Sequence, residues 1–235
     1  HINPAMFTDA FLPYAEAGDS VIYLCFSTGI AGTFNAANIA KNTILEDYPE
    51  FDLTIIDSKC ASIGFGLVVS KLVTMLEHGA AKEELVEAAD YYIAHVHHVF
   101  TVHTLAYLIK GGRLTKFKGT LAETLDMKPV LIVDEKGALS VIKTVRGRKK
   151  SLKYLIEYAR ENSQAMEGAT VALCHGEDAE SRDHMLSMIE EEIHPGEVLI
   201  GTVGCAIGAH TGRGLIGFCF FDADDGKYQR YFESV

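Results

Sequence analysis

Val21-Ile22-Tyr23-Leu24-Cys25-Phe26-Ser27-Thr28-Gly29-Ile30-Ala31-Gly32-Thr33 passes from an apolar run straight into a loop of hydroxyls and glycines. A short apolar run bounded in this way reads as a buried strand. Thr33–Glu46 then sets Phe34, Ala37, Ala40 and Ile44 on one helical face. The same unit recurs: Leu53–Ile56 as a strand, then Ile63–Leu76 as a helix burying Val68, Leu72, Met75 and Leu76, with Gly79 as its stop. Leu85, Ala89, Tyr92, Ile93 and Val96 mark a third helix, and Val99–Val102 a third strand. This alternation predicts a parallel sheet with helices on both faces.

The second half reads differently. A short helix, Thr104–Lys110, closes at Gly111-Gly112, and a polar connection leads to a strand at Lys128–Val133. Glu135-Lys136-Gly137 is a turn and Leu139–Val145 an alternating strand, which together predict a hairpin. A helix carrying Leu152, Leu155, Ile156 and Ala159 follows, then a strand at Thr170–Cys174, a helix at Ala179–Ile193, and strands at Glu197–Val203 and Leu215–Phe221. The expected fold class is α/β: a parallel α/β domain over residues 1–103, then an α+β domain over 104–235 with a mixed or antiparallel sheet.

With 235 residues and 48% hydrophobic composition, the chain can build a substantial core. A net charge of −11 argues against general nucleic-acid binding and against adhesion to anionic lipid surfaces. No apolar run reaches the roughly 18 residues that span a bilayer. Five scattered cysteines without a CxxC give no disulfide framework or zinc site, and a reducing cytoplasm fits them. The opening His1-Ile2-Asn3-Pro4 reads as the interior of a loop, as expected of a fragment without its natural N-terminus.

Two loops could hold an anion. Ser27-Thr28-Gly29 lies at the carboxyl end of a strand just before a helix, where unpaired N–H groups favour negative charge. It reads equally as an ordinary N-cap. Gly208 to Gly214 carries His210 and Thr211 among three glycines between two strands; it is either a ligand loop or a tight turn. Asp57, after the second strand, is either a catalytic acid or a cap. His95, His97, His98 and His103 cluster without a metal-binding pattern, so no metal is expected. Lys143, Arg146, Arg148, Lys149, Lys150 and Lys153 form a basic stretch in an acidic chain. It reads either as a solvated face or as a dock for an acidic or phosphorylated partner.

In order along nearly the whole chain, six segments resemble the DegV family of lipid-binding proteins. Ser27–Thr33 is similar to SSGLSGT, Asp57–Gly64 to DSKSASMG, and Leu108–Leu114 to LKKGGRI. Leu125–Leu131 is similar to LNIKPIL, Val145–Lys150 to VRxRKK, and Ile207–Gly214 to IGxHTGPG. Thr28, Asp126 and Arg213 depart from that pattern, and the resemblance implies a further strand and a head-group hydroxyl preceding His1. It also implies a two-domain, non-catalytic carrier that holds one long-chain fatty acid between its domains, without a cofactor. Ser27, Thr28, Gly29, His210 and Thr211 would surround the carboxylate. Arg146, Arg148 and Lys149 would dock a fatty acid kinase that phosphorylates it. The rival reading is a hydrolase or acyl transferase with Ser27 as nucleophile, His210 as base and Asp57 as orienter, although Ser27 lacks the G-x-S-x-G elbow. A protein-interaction module with no ligand is the third.

Overall fold

The computed structural model describes residues 2–114, 126–223 and 226–233. The polar connection over 115–125, and Leu125 of the fourth resembling segment, lie outside them. Helix α1 (Pro4–Ala17) follows the opening residues, over a stretch to which the sequence pattern assigns no element. Asn3 caps it by accepting the Met6 N–H at 3.0 Å, Pro4 occupies its first turn, and Gly18 closes it with φ of 71°. Those are ordinary start and stop signals. Pro13, an interior proline, masks them in the sequence.

β1 (Val21–Cys25) leads into α2 (Thr33–Asp47), and β2 (Leu53–Asp57) into α3 (Ser62–Glu77), as the sequence predicts. β1 and β2 pair in parallel, Val21 opposite Leu53 through Cys25 opposite Asp57, as a two-stranded sheet. Alternation along β1 gives it two apolar faces. Val21 and Tyr23 pack with Phe7, Phe11, Ala37 and Ala40 of α1 and α2, while Ile22 and Leu24 pack toward Leu67 and Val68 of α3.

After α4 (Lys82–His95), β3 (Val96–Thr101) departs from the expected parallel sheet. It runs antiparallel to both β4 (Met127–Val133) and β8 (Ile216–Phe221), inside a six-stranded sheet. An apolar run records burial on both sides, not the direction of its neighbours. The hairpin of β4 and β5 (Leu139–Arg146) forms as expected, and β6 (Thr170–His175) pairs in parallel with β7 (Glu197–Thr202). The sheet order is β5-β4-β3-β8-β6-β7.

One face of this sheet carries α6 (Arg148–Asn162) and α7 (Ala179–Glu192), sealed by Leu155, Ile156, Met185, Ile189, Phe218 and Phe220. The other face, through Ala172, Cys219 and Phe221, packs on α3 and α4. The α3–α4 layer therefore serves both sheets, giving five layers: α1/α2, the small sheet, α3/α4, the large sheet, α6/α7. Two short helices, α5 (Ala106–Lys110) and α8 (Cys205–Thr211), complete the rim.

Candidate functional site

The two anion-loop candidates meet at one cavity of about 400 Å³. Ile30 and Ala31 come from the loop after β1, and His210 and Thr211 from α8. Phe100, Leu108, Val133, Leu139, Leu215, Gly217 and Cys219 make most of the rest of the wall apolar. The volume and the lining, apolar with a few convergent polar groups, are those of a small-molecule site.

Gly208 to Gly214 divides: Gly208–Thr211 is the end of a helix, and Gly212-Arg213-Gly214 is the turn that follows it. Cys205–Thr211 is helical and ends at Gly212, whose φ is 72° and whose N–H bonds the Gly208 carbonyl. Thr211 is buried, and its hydroxyl donates to the Ile207 carbonyl at 3.1 Å. His210 stands against the backbone of Gly111: a Cβ at position 111 would fall 2.0 Å from its Nδ1. The glycine at 111 thus makes room for the imidazole.

Ser27 lies behind the lining rather than on it. It is fully buried, its hydroxyl donates to the Gly137 carbonyl at 2.6 Å, and it accepts the Gly29 N–H at 3.2 Å. The expected head-group serine is thereby a clamp between the β1 loop and the β4–β5 turn. The two backbones approach so closely that a Cβ on Gly29 would fall 2.5 Å from the Gly137 carbonyl carbon and oxygen. Gly29→Ala is therefore expected to destabilise the protein by about 1–3 kcal/mol in urea unfolding. A change under about 0.5 kcal/mol would show that the contact yields freely.

Asp57 is a cap. It accepts the Thr28 hydroxyl at 2.6 Å, the Thr28 N–H at 3.1 Å and the Lys59 N–H at 3.2 Å. The hydrogen bonds of Ser27 and Asp57 thus run to Gly137, Gly29, Thr28 and Lys59, and the Ser27–His210–Asp57 relay is not assembled among the described residues. Thr28 and Gly29 are exposed and face a second, open pocket beside the cavity. Arg113 lines both spaces and donates from Nη1 to the Gly111 carbonyl at 2.6 Å. In the sequence Arg113 stands out only as part of the Leu108–Leu114 segment. Its position after Gly111-Gly112 was the available signal.

The histidines separate. His95 Nδ1 and His97 Nε2 flank the Asp222 carboxylate at 2.7 and 2.8 Å, while His98 turns inward and lines the cavity. Burial, with His97 nearby, pushes His98 down to about 4, so it is neutral. No group of three or more His, Cys, Asp or Glu among the described residues is placed to hold a metal. Burial raises the Cys174 thiol in the same wall to about 11, which keeps it protonated.

With this geometry in place, comparison with known proteins places the chain. A family model described as "Uncharacterised protein, DegV family" matches residues 1–223. The chain belongs to the DegV family. A DegV domain-containing protein of Clostridium perfringens is 32% identical over 219 residues, covering 93% of this chain and 75% of the relative. A solved fatty-acid (stearic acid)-binding protein of Eubacterium ventriosum superposes with a TM-score of 0.82 at 28% identity, covering 97% of this chain and 78% of the other. A DegV family protein of Eubacterium eligens loaded with heptadecanoic acid gives 0.84 at 25% identity, covering 94% and 78%. A DegV lipid-binding protein of Thermotoga maritima gives 0.81 at 27%, covering 93% and 75%.

The DegV basic stretch divides in two. Arg146 and Lys149 are exposed, as a dock requires. Arg148 turns inward. Its Nη2 donates to Asp178 Oδ2 at 2.8 Å and to the Gly214 carbonyl at 2.6 Å, and its Nε to Ser181 Oγ at 3.0 Å. Arg148 therefore ties α6 to α7 and to the loop after α8, and it is not a free docking cation. No described helix of this DegV chain is long and apolar enough to cross a membrane.

Proposed function

We propose that this chain binds one long-chain fatty acid, its tail in the cavity and its carboxylate at the mouth beside His210 and Arg113. The observation that carries this reading is the apolar cavity whose polar lining includes those two side chains. Burying a methylene contributes about 0.8 kcal/mol, so a tail of about fourteen supplies on the order of 11 kcal/mol before the costs of association. That term does not distinguish an acid from an alcohol. A carboxylate leaving water needs donors or a cation, which the guanidinium, the imidazole and the exposed Thr28–Gly29 backbone can provide. The fatty acids named for the Eubacterium relatives support the same class of ligand.

His210→Ala is expected to weaken fatty-acid binding about tenfold, the range of one hydrogen bond to a charged group, in calorimetry on delipidated protein. Gly111→Ala should act alike, because its methyl takes the space of the imidazole. Unchanged affinity in both would remove the head-group role of His210.

In the same reading, the carrier is non-catalytic and presents the carboxylate to a fatty acid kinase across the surface bearing Arg146 and Lys149. The exposure of these two cations and the resemblance of Val145–Lys150 to the family segment support it. Reversing both charges is expected to lower the kinase-dependent phosphorylation rate about tenfold at low salt while fatty-acid affinity holds. A wild-type rate in the double variant would remove this surface as the dock.

A further inference from the structure

One polar side chain stands far from the mouth of the cavity. His98 pairs with Cys219 across β3 and β8, and so shares a sheet face with Phe100, Cys174 and Gly217. All five line the cavity. Cys219 lies four residues along the strand from Leu215, roughly 13 Å at the rise of a β-strand. That depth belongs to the tail of a bound acid rather than to its carboxylate.

His98 is only 6% exposed. Its Nε2 edge faces α3, where it accepts the Ala61 N–H at 3.4 Å, and a Cβ on Gly64 would fall 2.1 Å from the same nitrogen. A neutral imidazole that accepts through Nε2 carries its proton on Nδ1. Nδ1 has no hydrogen-bond partner among the described residues. A saturated chain lying here would cover that donor without satisfying it, whereas an oxygen on the chain would accept from it.

Resting on the fatty-acid reading above, we infer that the cavity selects acyl chains bearing an oxygen acceptor, a hydroxyl or keto group part-way along the tail, with His98 Nδ1–H as the recognising donor. Apart from the Ser62 hydroxyl, which hydrogen-bonds with Cys174, the neighbouring wall is apolar or carries thiols, so this imidazole is the unpaired donor set beside the tail.

Calorimetry on delipidated protein tests the inference, with stearic acid and its monohydroxy and monoketo positional isomers as probes. At least one isomer is expected to bind about tenfold tighter than stearic acid, the loss that an unpaired buried donor imposes. His98→Leu is expected to abolish that ratio, and His98→Gln, which keeps a donor, to retain part of it. Stearic acid binding as tightly as every isomer overturns the inference while leaving fatty-acid binding intact, and this first arm needs no variant to fold. A ratio that persists in His98→Leu also overturns it. Failure of all the acids to bind overturns the fatty-acid reading itself.

Discussion

Replacing Arg148 with alanine is expected to lower the stability of the protein by about 3 kcal/mol. The Arg148 and Asp178 side chains are only 18% and 20% exposed, so solvent screens the pair weakly. Burial alone would raise the pKa of Asp178, but the bonds from Ser181 and Arg148 outweigh it and hold the carboxyl below its usual value. Truncation leaves that carboxylate half-desolvated and also frees the Gly214 carbonyl and the Ser181 hydroxyl. Removing one partner of such a pair costs more than the pair contributes, because the other charge stays in place. Urea unfolding of Arg148→Ala, Asp178→Asn and the double variant measures the coupling. A loss below about 1 kcal/mol in the single variants would class the contact with exposed surface pairs. Arg148 for the same reason makes a poor probe of partner docking: a variant there changes the fold before it changes the surface.

Acidification between pH 6.5 and about 4 is expected to destabilise the protein through His98. Its pKa falls from 6.5 in the unfolded chain to about 4 in the folded one. Below pH 6.5 the unfolded state takes up a proton that the folded state refuses, so stability falls with pH until the folded imidazole also titrates. Each unit of separation is worth 1.36 kcal/mol, which makes the whole effect on the order of 3 kcal/mol. Burial lowers His103 as well, and it adds to the loss in the same sense. Asp134, Asp178 and Asp222 act in a different window, since their lowered values stabilise the fold until the pH drops below about 3.8. His98→Leu should flatten the unfolding free energy between pH 6.5 and 4.5 relative to wild type. Parallel curves for the two proteins would show that His98 does not carry the acid response.

Elements with a clean period were legible in the sequence. Ala37, Ala40 and Ile44 are buried on α2 at the helical spacing that the sequence displays, and Val21–Phe26 forms a strand within one residue of its expected end. α1 escaped because Pro13 interrupts an otherwise ordinary Asn-capped helix. α8 escaped because three glycines between two strands read as a turn, although Gly208 is accommodated within the helix. Of the site residues, His210 and Thr211 line the cavity and Thr28 and Gly29 flank it, whereas Ser27 and Arg148 spend their hydrogen bonds inside the protein. Nothing local distinguishes a serine that faces a ligand from one that clamps two backbones. The carbonyl that claims Ser27 comes from Gly137, 110 residues away.

Residue order alone settles that strands alternate with helices, that the Ser27–Thr33 and Ile207–Gly214 segments belong to the DegV family, and that both are rich in small residues. Local periodicity and backbone preference act over a few residues, and they are written where those residues stand. The direction of β3, the shared α3–α4 layer, the inward turn of Arg148 and the gathering of Arg113, His98 and His210 around one cavity emerge only when distant segments pack. Burial and pairing at these positions depend on partners 30 to 125 residues apart, and a chain read in sequence carries no record of which partner arrives.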